Sequence, residues 1–243
     1  MSQNVLVFSI ALNGYQWLYR DCLSSHSAYA NRHGYHYCVV SRPIATALGV
    51  ECCWLKLTLM LEALNSGYDL VLFVDADAYI NESTPSLHSA VMPNKFLYMA
   101  KSYTRRFNSG VILGKNCFKL REWLQTVIAS QNTTILTEND VGWGENGHII
   151  QFSKDCTFLS TLDRRWNNTY DPELTDYIRH FSFGPLRKNW RLNVCHKILS
   201  RISRLWAKGQ GLLNIHSKFS SNDTKLNVLT KKVLTNYPCF TRI

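Results

Sequence analysis

The chain has 243 residues, 46% of them hydrophobic, and a formal net charge of +10. That length suits one large α/β domain, or one domain with a short extension, and the composition excludes a low-complexity or disordered chain. No segment approaches the roughly 18 uninterrupted apolar residues that a membrane-spanning helix needs. The charge is uneven: residues 191–243 hold ten Lys or Arg against one acid, Asp223, whereas residues 1–190 hold 17 basic and 16 acidic side chains. We therefore expect a near-neutral domain over 1–190 and a basic, partly helical extension over 191–243.

Residues 4–10 form a short apolar run that stops at Asn13-Gly14, the pattern of a buried strand and too brief for a secretory leader. Residues 17–33 read as a helix closed by Gly34, and Tyr35–Ser41 as a second strand rich in aromatic and β-branched residues. Trp54, Leu57, Leu61 and Leu64 mark a helix over Trp54–Ser66 that Gly67 stops. The next strand, LVLFV, is broken by Asp75 and Asp77. Phe96–Ala100 and Ser109–Leu113 read as short strands, Leu120–Ser130 as a helix and 131–147 as a loop. His148–Ser153 and Thr157–Leu159 flank a further helix-strand transition. Strands alternating with helices predict a mostly parallel sheet with ligand chemistry at the carboxyl ends of its strands. Past Trp190, Val194, Ile198, Ile202 and Leu205 form an apolar stripe amid Lys197, Arg201, Arg204 and Lys208, a basic amphipathic helix ended by Gly209–Gly211.

Eight cysteines are scattered without a CxxC pair, which favours reduced thiols over disulfides and argues against structural zinc. The sequons at Asn81, Asn132, Asn167 and Asn222 carry little weight without a secretory route.

The chemistry centres on Asp75-Ala76-Asp77. Two carboxylates at the end of an apolar strand cannot both be buried without partners. Where the strand opens into a loop they can converge on a hard divalent cation such as Mn²⁺ or Mg²⁺. Such a cation would neutralise a diphosphate leaving group. The bland alternative is a pair of acids capping a helix. A phosphatase-type hydrolase also places Asp-x-Asp after an apolar strand, but expects a small hydroxyl or β-branched residue shortly after the second Asp, where this chain has Ala78-Tyr79.

Four blocks in order resemble the GT-A nucleotide-sugar transferases, especially the retaining enzymes of glycosyltransferase family 8. They are the first strand with Ala11, Asn13 and Tyr15; the helix with Trp54 and Lys56 followed by YDLVLFVDADAYI; RFNSGVILGK; and the stretch from WGENGHIIQF through LDRRWNNTYD to IRHFSFGPLRKNW. The resemblance covers roughly residues 4–190 and implies a Rossmann-like, mostly parallel mixed sheet flanked by helices. It implies that Asp75, Asp77 and His180 bind Mn²⁺ or Mg²⁺, with Asp75 and Ala76 also near the donor nucleotide. Ala11, Asn13 and Tyr15 would border the nucleoside, and Lys56 would reach towards it or be solvated. Asn108, Ser109 and Gly110 would border the donor sugar, Gly184 would let the backbone approach the diphosphate, and Lys188 would contact a phosphate. Glu145 and Asn146 fall where the family carries an Asp-Gln pair near the reactive face of the sugar, and Trp166-Asn167 where it has an acceptor-side or packing role. The expected activity is hexosyl transfer, with retention, from a UDP-sugar to a glycan or lipid-linked acceptor of surface polysaccharide or lipopolysaccharide type. A non-catalytic nucleotide-sugar or glycan-binding module on the same scaffold is the alternative.

The basic extension fits an anionic membrane surface, with Trp206 at the interface, or a helix packed on the catalytic domain through its apolar stripe. Sparse aromatic interleaving argues against nucleic acid. The expected location is cytoplasmic, possibly peripheral on the inner face of a membrane.

Overall fold

The computed structural model describes residues 4–46, 49–142, 144–182, 186 and 224–241, together with residues 194, 195, 198, 199, 201, 202, 205 and 209. Six strands form the central sheet: β1 (Val5–Ile10), β2 (His36–Val40), β3 (Leu70–Val74), β5 (Leu97–Ala100), β6 (Val111–Lys115) and β7 (Leu159–Leu162), in the order β2-β1-β3-β6-β5-β7. All run parallel except β6, which pairs antiparallel with both β3 and β5. β1 and β3 are central, which is why they read as unbroken apolar runs: both faces are covered. Two three-residue strands, β4 (Ala78–Ile80) and β8 (Ile178–His180), pair antiparallel in a separate small sheet.

The helices are α1 (Tyr15–Leu18), α2 (Arg20–His33), α3 (Glu51–Asn65), α4 (Phe118–Ala129), α5 (Asn146–Ser153) and α6 (Lys225–Asn236). The helix expected over 17–33 is broken at Tyr19, which leaves α1 as a single turn before α2. Gly34 closes α2 at φ 68°, a conformation that favours glycine. α3 is buried nearly all round, with Leu55, Leu57, Leu59 and Met60 inaccessible, because it lies between the sheet on one side and α4 and α6 on others. α6 starts at Thr224, whose hydroxyl accepts from the Asn227 N–H, and inserts Leu226, Leu229 and Val233 into the same core. Each such side chain contributes about 1.5–3 kcal/mol by its burial. The end of the chain thus shares the core of the sheet.

The described residues between 194 and 209 are helical. Val194, Ile198, Ile202 and Leu205 are exposed, so of the two readings for the stripe the inward-packed one does not hold at these residues. Leu199 instead lies against Gly14, where an added Cβ would come within 3.0 Å of it. Lys197, Arg204, Lys208 and Trp206 lie outside the described residues. No helix among the described residues is long and apolar enough to cross a membrane, and the described cysteines form no disulfide.

Candidate functional site

A cavity of about 1120 Å³ opens at the carboxyl ends of β1 and β3. Its floor is the turn that ends β3. Asp75 N–H donates to the Gly110 carbonyl at 2.7 Å, and Ala78 N–H donates to the Asp75 carbonyl at 3.0 Å, folding the chain sharply after the strand. β8 then delivers a third candidate ligand, since its pairing with β4 sets His180 opposite Ala78, next to Asp77. His180 Nε2 lies 3.3 Å from Asp77 Oδ1 and 3.6 Å from Asp75 Oδ2. One ligand atom from each of the three residues falls within 4.8 Å of the others. Two carboxylates and an imidazole make a donor set suited to Mn²⁺ or Mg²⁺. Asp75, Asp77 and His180 would hold such a cation with positions to spare, so the residues present fit the implied cation.

Electrostatics at this floor are tightly balanced. Lys56, reaching in from α3, is buried: its Nζ donates to Glu145 at 2.9 Å and to Asp75 Oδ1 and the Ser109 carbonyl at 3.3 Å each, above the Phe73 ring. The solvated alternative for this lysine is therefore wrong. Burial pulls its pKa down, but the Asp75 and Glu145 carboxylates outweigh that and raise it, keeping the ammonium charged. Desolvation raises the Asp75 carboxyl against the opposing pull of Lys56 and His180. Desolvation also opposes charge on His180, yet hydrogen bonding and charge from Asp77, then Asp75, raise it.

The Asn108–Gly110 turn forms one wall. Ser109 Oγ donates to Glu145 Oε1 at 2.6 Å, and Ser109 N–H donates to Asn146 Oδ1 at 2.9 Å. Asn146 Nδ2 returns a bond to the Phe107 carbonyl at 3.2 Å. Glu145 and Asn146, at the start of α5, thus hold this turn as well as lining the cavity. Gly110 is a matter of space: a Cβ there would lie 2.1 Å from His180 Cε1.

On the opposite side, Asn13 and Tyr15 line the cavity while Ala11 is wholly buried beneath it. Asn13 sits at φ 56° and accepts the Thr46 N–H on its side chain at 2.7 Å, fixing the loop after β1. Of the predicted residues, the structure brings Asn13, Tyr15, Lys56, Asp75, Ala76, Asp77, Asn108, Ser109, Gly110, Glu145, Asn146 and His180 to one cavity. Gly184 and Lys188 lie outside the described residues.

Sequence reasoning missed the Lys101–Phe107 hairpin, which adds Tyr103 and Arg106 to the cavity wall. It also missed Thr169, whose buried hydroxyl has no hydrogen-bond partner among the described residues. Neither carries a pattern that would have marked it.

No protein-family profile and no curated protein sequence matches the chain. Solved structures do, and they define a GT-A-type glycosyltransferase fold. A glycosyltransferase involved in the glycosylation of the major capsid of PBCV-1 superposes with a TM-score of 0.61 at 16% identity, covering 78% of this chain and 99% of that one. The apo form of the glycosyltransferase GlyE of Streptococcus pneumoniae TIGR4 gives a TM-score of 0.51 at 15% identity, over 91% of this chain and 66% of that one. At such identities the likeness establishes the fold, and function has to be argued from the site.

Proposed function

We propose that the chain is a metal-dependent glycosyltransferase that moves a hexose from a nucleotide-sugar, of the UDP class, to a glycan or lipid-linked acceptor. The observation that carries this reading is the convergence of Asp75, Asp77 and His180 beneath the cavity at the end of β3. A cation held there supplies charge neutralisation for a departing nucleoside diphosphate. Asn13 and Tyr15 bound the side of the cavity suited to the nucleoside. The Asn108–Gly110 turn, held by Glu145 and Asn146, bounds the side suited to the sugar. Lys56 keeps the Asp75 and Glu145 carboxylates oriented and prevents their mutual repulsion from opening the floor. Lys188 and Gly184 keep the phosphate-side roles that the family 8 resemblance gives them, and retention rests on the same resemblance.

The test is thermal stabilisation by UDP-, GDP- and CDP-sugars, each with Mn²⁺ or with EDTA, on the wild type and on Asp77→Ala. A ligand at a hundredfold excess over its Kd stabilises the native state by about 2.7 kcal/mol. A Mn²⁺-dependent shift with one nucleotide class, lost in the variant, is the expected result. No shift with any donor in a folded protein would remove the donor-site reading. Release of free sugar from the bound donor separates a transferase from a binding module, which would hold the donor intact.

A further inference from the structure

Asn167 is 1% exposed and sits directly behind His180. Its Oδ1 lies 2.9 Å from His180 Nδ1, and its Nδ2 lies 2.8 Å from Asn108 Oδ1 and 3.3 Å from the Asn108 carbonyl. Asn108 Oδ1 in turn accepts the backbone N–H of Gly110 at 3.0 Å. The direction of every bond in this chain is dictated from one end. A backbone N–H can only donate, so Asn108 must present its oxygen to Gly110. That oxygen also faces Asn167, which must therefore present its amide nitrogen there and turn its own oxygen to the histidine. An amide oxygen only accepts, so His180 must carry its proton on Nδ1. Nε2 is then the nitrogen left for the Asp75–Asp77 side.

We propose that Asn167 is a positioning residue which, set by the Gly110 N–H through Asn108, holds His180 in the Nδ1-protonated tautomer and so presents Nε2 to the cation. The inference deepens the metal-site reading and rests on it. A ligating imidazole is fixed in ring orientation and basicity by the acceptor on its other nitrogen, and loss of that acceptor lowers metal affinity by about 10–100-fold. The arrangement also joins the metal floor to the wall assigned to the donor sugar, because the same amide that orients His180 holds Asn108.

The test uses Asn167→Leu, which removes both bonds at similar size, and Asn167→Asp, which keeps an acceptor for His180 but loses the donors to Asn108. Two readouts are taken on the full-length protein: Mn²⁺ affinity by titration, and the ring-nitrogen NMR signals of His180 in the metal-free protein at a pH where the ring is neutral. The expected result is a 10–100-fold weaker Mn²⁺ affinity and a mixed or reversed tautomer in Asn167→Leu. Asn167→Asp should keep the Nδ1-protonated tautomer and an affinity within a few-fold of wild type. Wild-type affinity in a folded Asn167→Leu, or equal losses in both variants, would overturn the proposal. So would an Nε2-protonated ring in the wild type. Failure of the wild type to take up Mn²⁺ removes the metal reading alone, since the tautomer is still decided by the ring-nitrogen signals.

Discussion

Substituting Gly110 by alanine is the sharpest probe of how the site is packed. The backbone there is outside the left-handed region, so the glycine is needed for space. An added Cβ would lie 2.1 Å from His180 Cε1, 2.5 Å from its Nδ1 and 2.9 Å from Asn108 Oδ1, where ordinary contact begins at 3.4 Å. Relief requires the imidazole to retreat by about 1.3 Å, a displacement large enough to disrupt a site whose geometry must hold to about 0.5 Å. Overpacking of this kind costs about 1–3 kcal/mol. We expect Gly110→Ala to lower the melting temperature and to weaken Mn²⁺ binding at least tenfold, measured by differential scanning calorimetry and titration. The effect should be coupled to the ring it strikes. In a His180→Ala background most of the stability loss should vanish, with a remainder from the contact with Asn108. Wild-type Mn²⁺ affinity in the single variant, or additive losses in the double, would refute the reasoning.

Three further outcomes follow from other parts of the molecule. Lys56→Met leaves the buried Glu145 carboxylate without its cation and should cost about 3–5 kcal/mol by chemical denaturation. Lys56→Met with Glu145→Gln should recover much of it, and equal losses would show that the pair is not coupled. His26 is buried with its Nδ1 2.8 Å from the Ser9 hydroxyl and its Nε2 2.7 Å from the Ala78 carbonyl, facing the Tyr37 ring and the charge of Asp77. Burial lowers its pKa from 6.5 to about 4. The unfolded chain therefore binds more protons between those values, so stability is full above pH 6.5 and falls as pH drops, by about 2 kcal/mol at pH 5. His26→Gln should flatten that part of the pH–stability curve, and an unchanged slope would show that another group sets it. The outward stripe of Val194, Ile198, Ile202 and Leu205, in a segment of net charge +9, predicts salt-sensitive binding to vesicles containing anionic lipid. Ile198→Asp with Leu205→Asp should abolish co-sedimentation without changing the melting temperature. Absence of wild-type binding would remove the membrane-surface reading.

How much of this could be read beforehand differs from residue to residue. Asp75 and Asp77 were legible because charge at the end of an apolar strand violates the pattern around it. The parallel core was legible because β1 and β3 are apolar on both faces. The reversal of β6 was not, since periodicity is blind to strand direction. Lys56 was misjudged as a possible solvent-facing lysine, yet its neighbours signalled otherwise: CCWLKLTLMLEAL is apolar on nearly every face, the mark of a helix buried all round. His180 was reached by resemblance, because the pairing of β8 with β4 depends on the whole intervening chain. Asn167, in the sequon WNNT, carried by resemblance an acceptor-side or packing role; only its place behind His180 gives it a different meaning. The apolar stripe at 194–205 was legible as a stripe, but whether it packs inward or faces out was not. Amphipathicity fixes which face is apolar and not what lies opposite it.

The small sheet has a consequence for how the molecule breathes. β4 and β8 share three paired positions, Ala78 with His180, Tyr79 with Arg179 and Ile80 with Ile178. β4 begins directly after Asp75 and Asp77, and β8 ends on His180. On the proposed reading, a cation bridging them would close a very long loop with a few bonds, and such a closure would draw most of its effect from the freedom it removes from the open chain. Peeling β8 away would open the site without unfolding the main sheet. Metal exchange should therefore track the opening of this three-residue ladder, and protection from hydrogen exchange of the Asn81 and Phe181 amides, which donate across it to the Tyr177 and Asp77 carbonyls, should rise with Mn²⁺ while β1 and β3 stay unchanged.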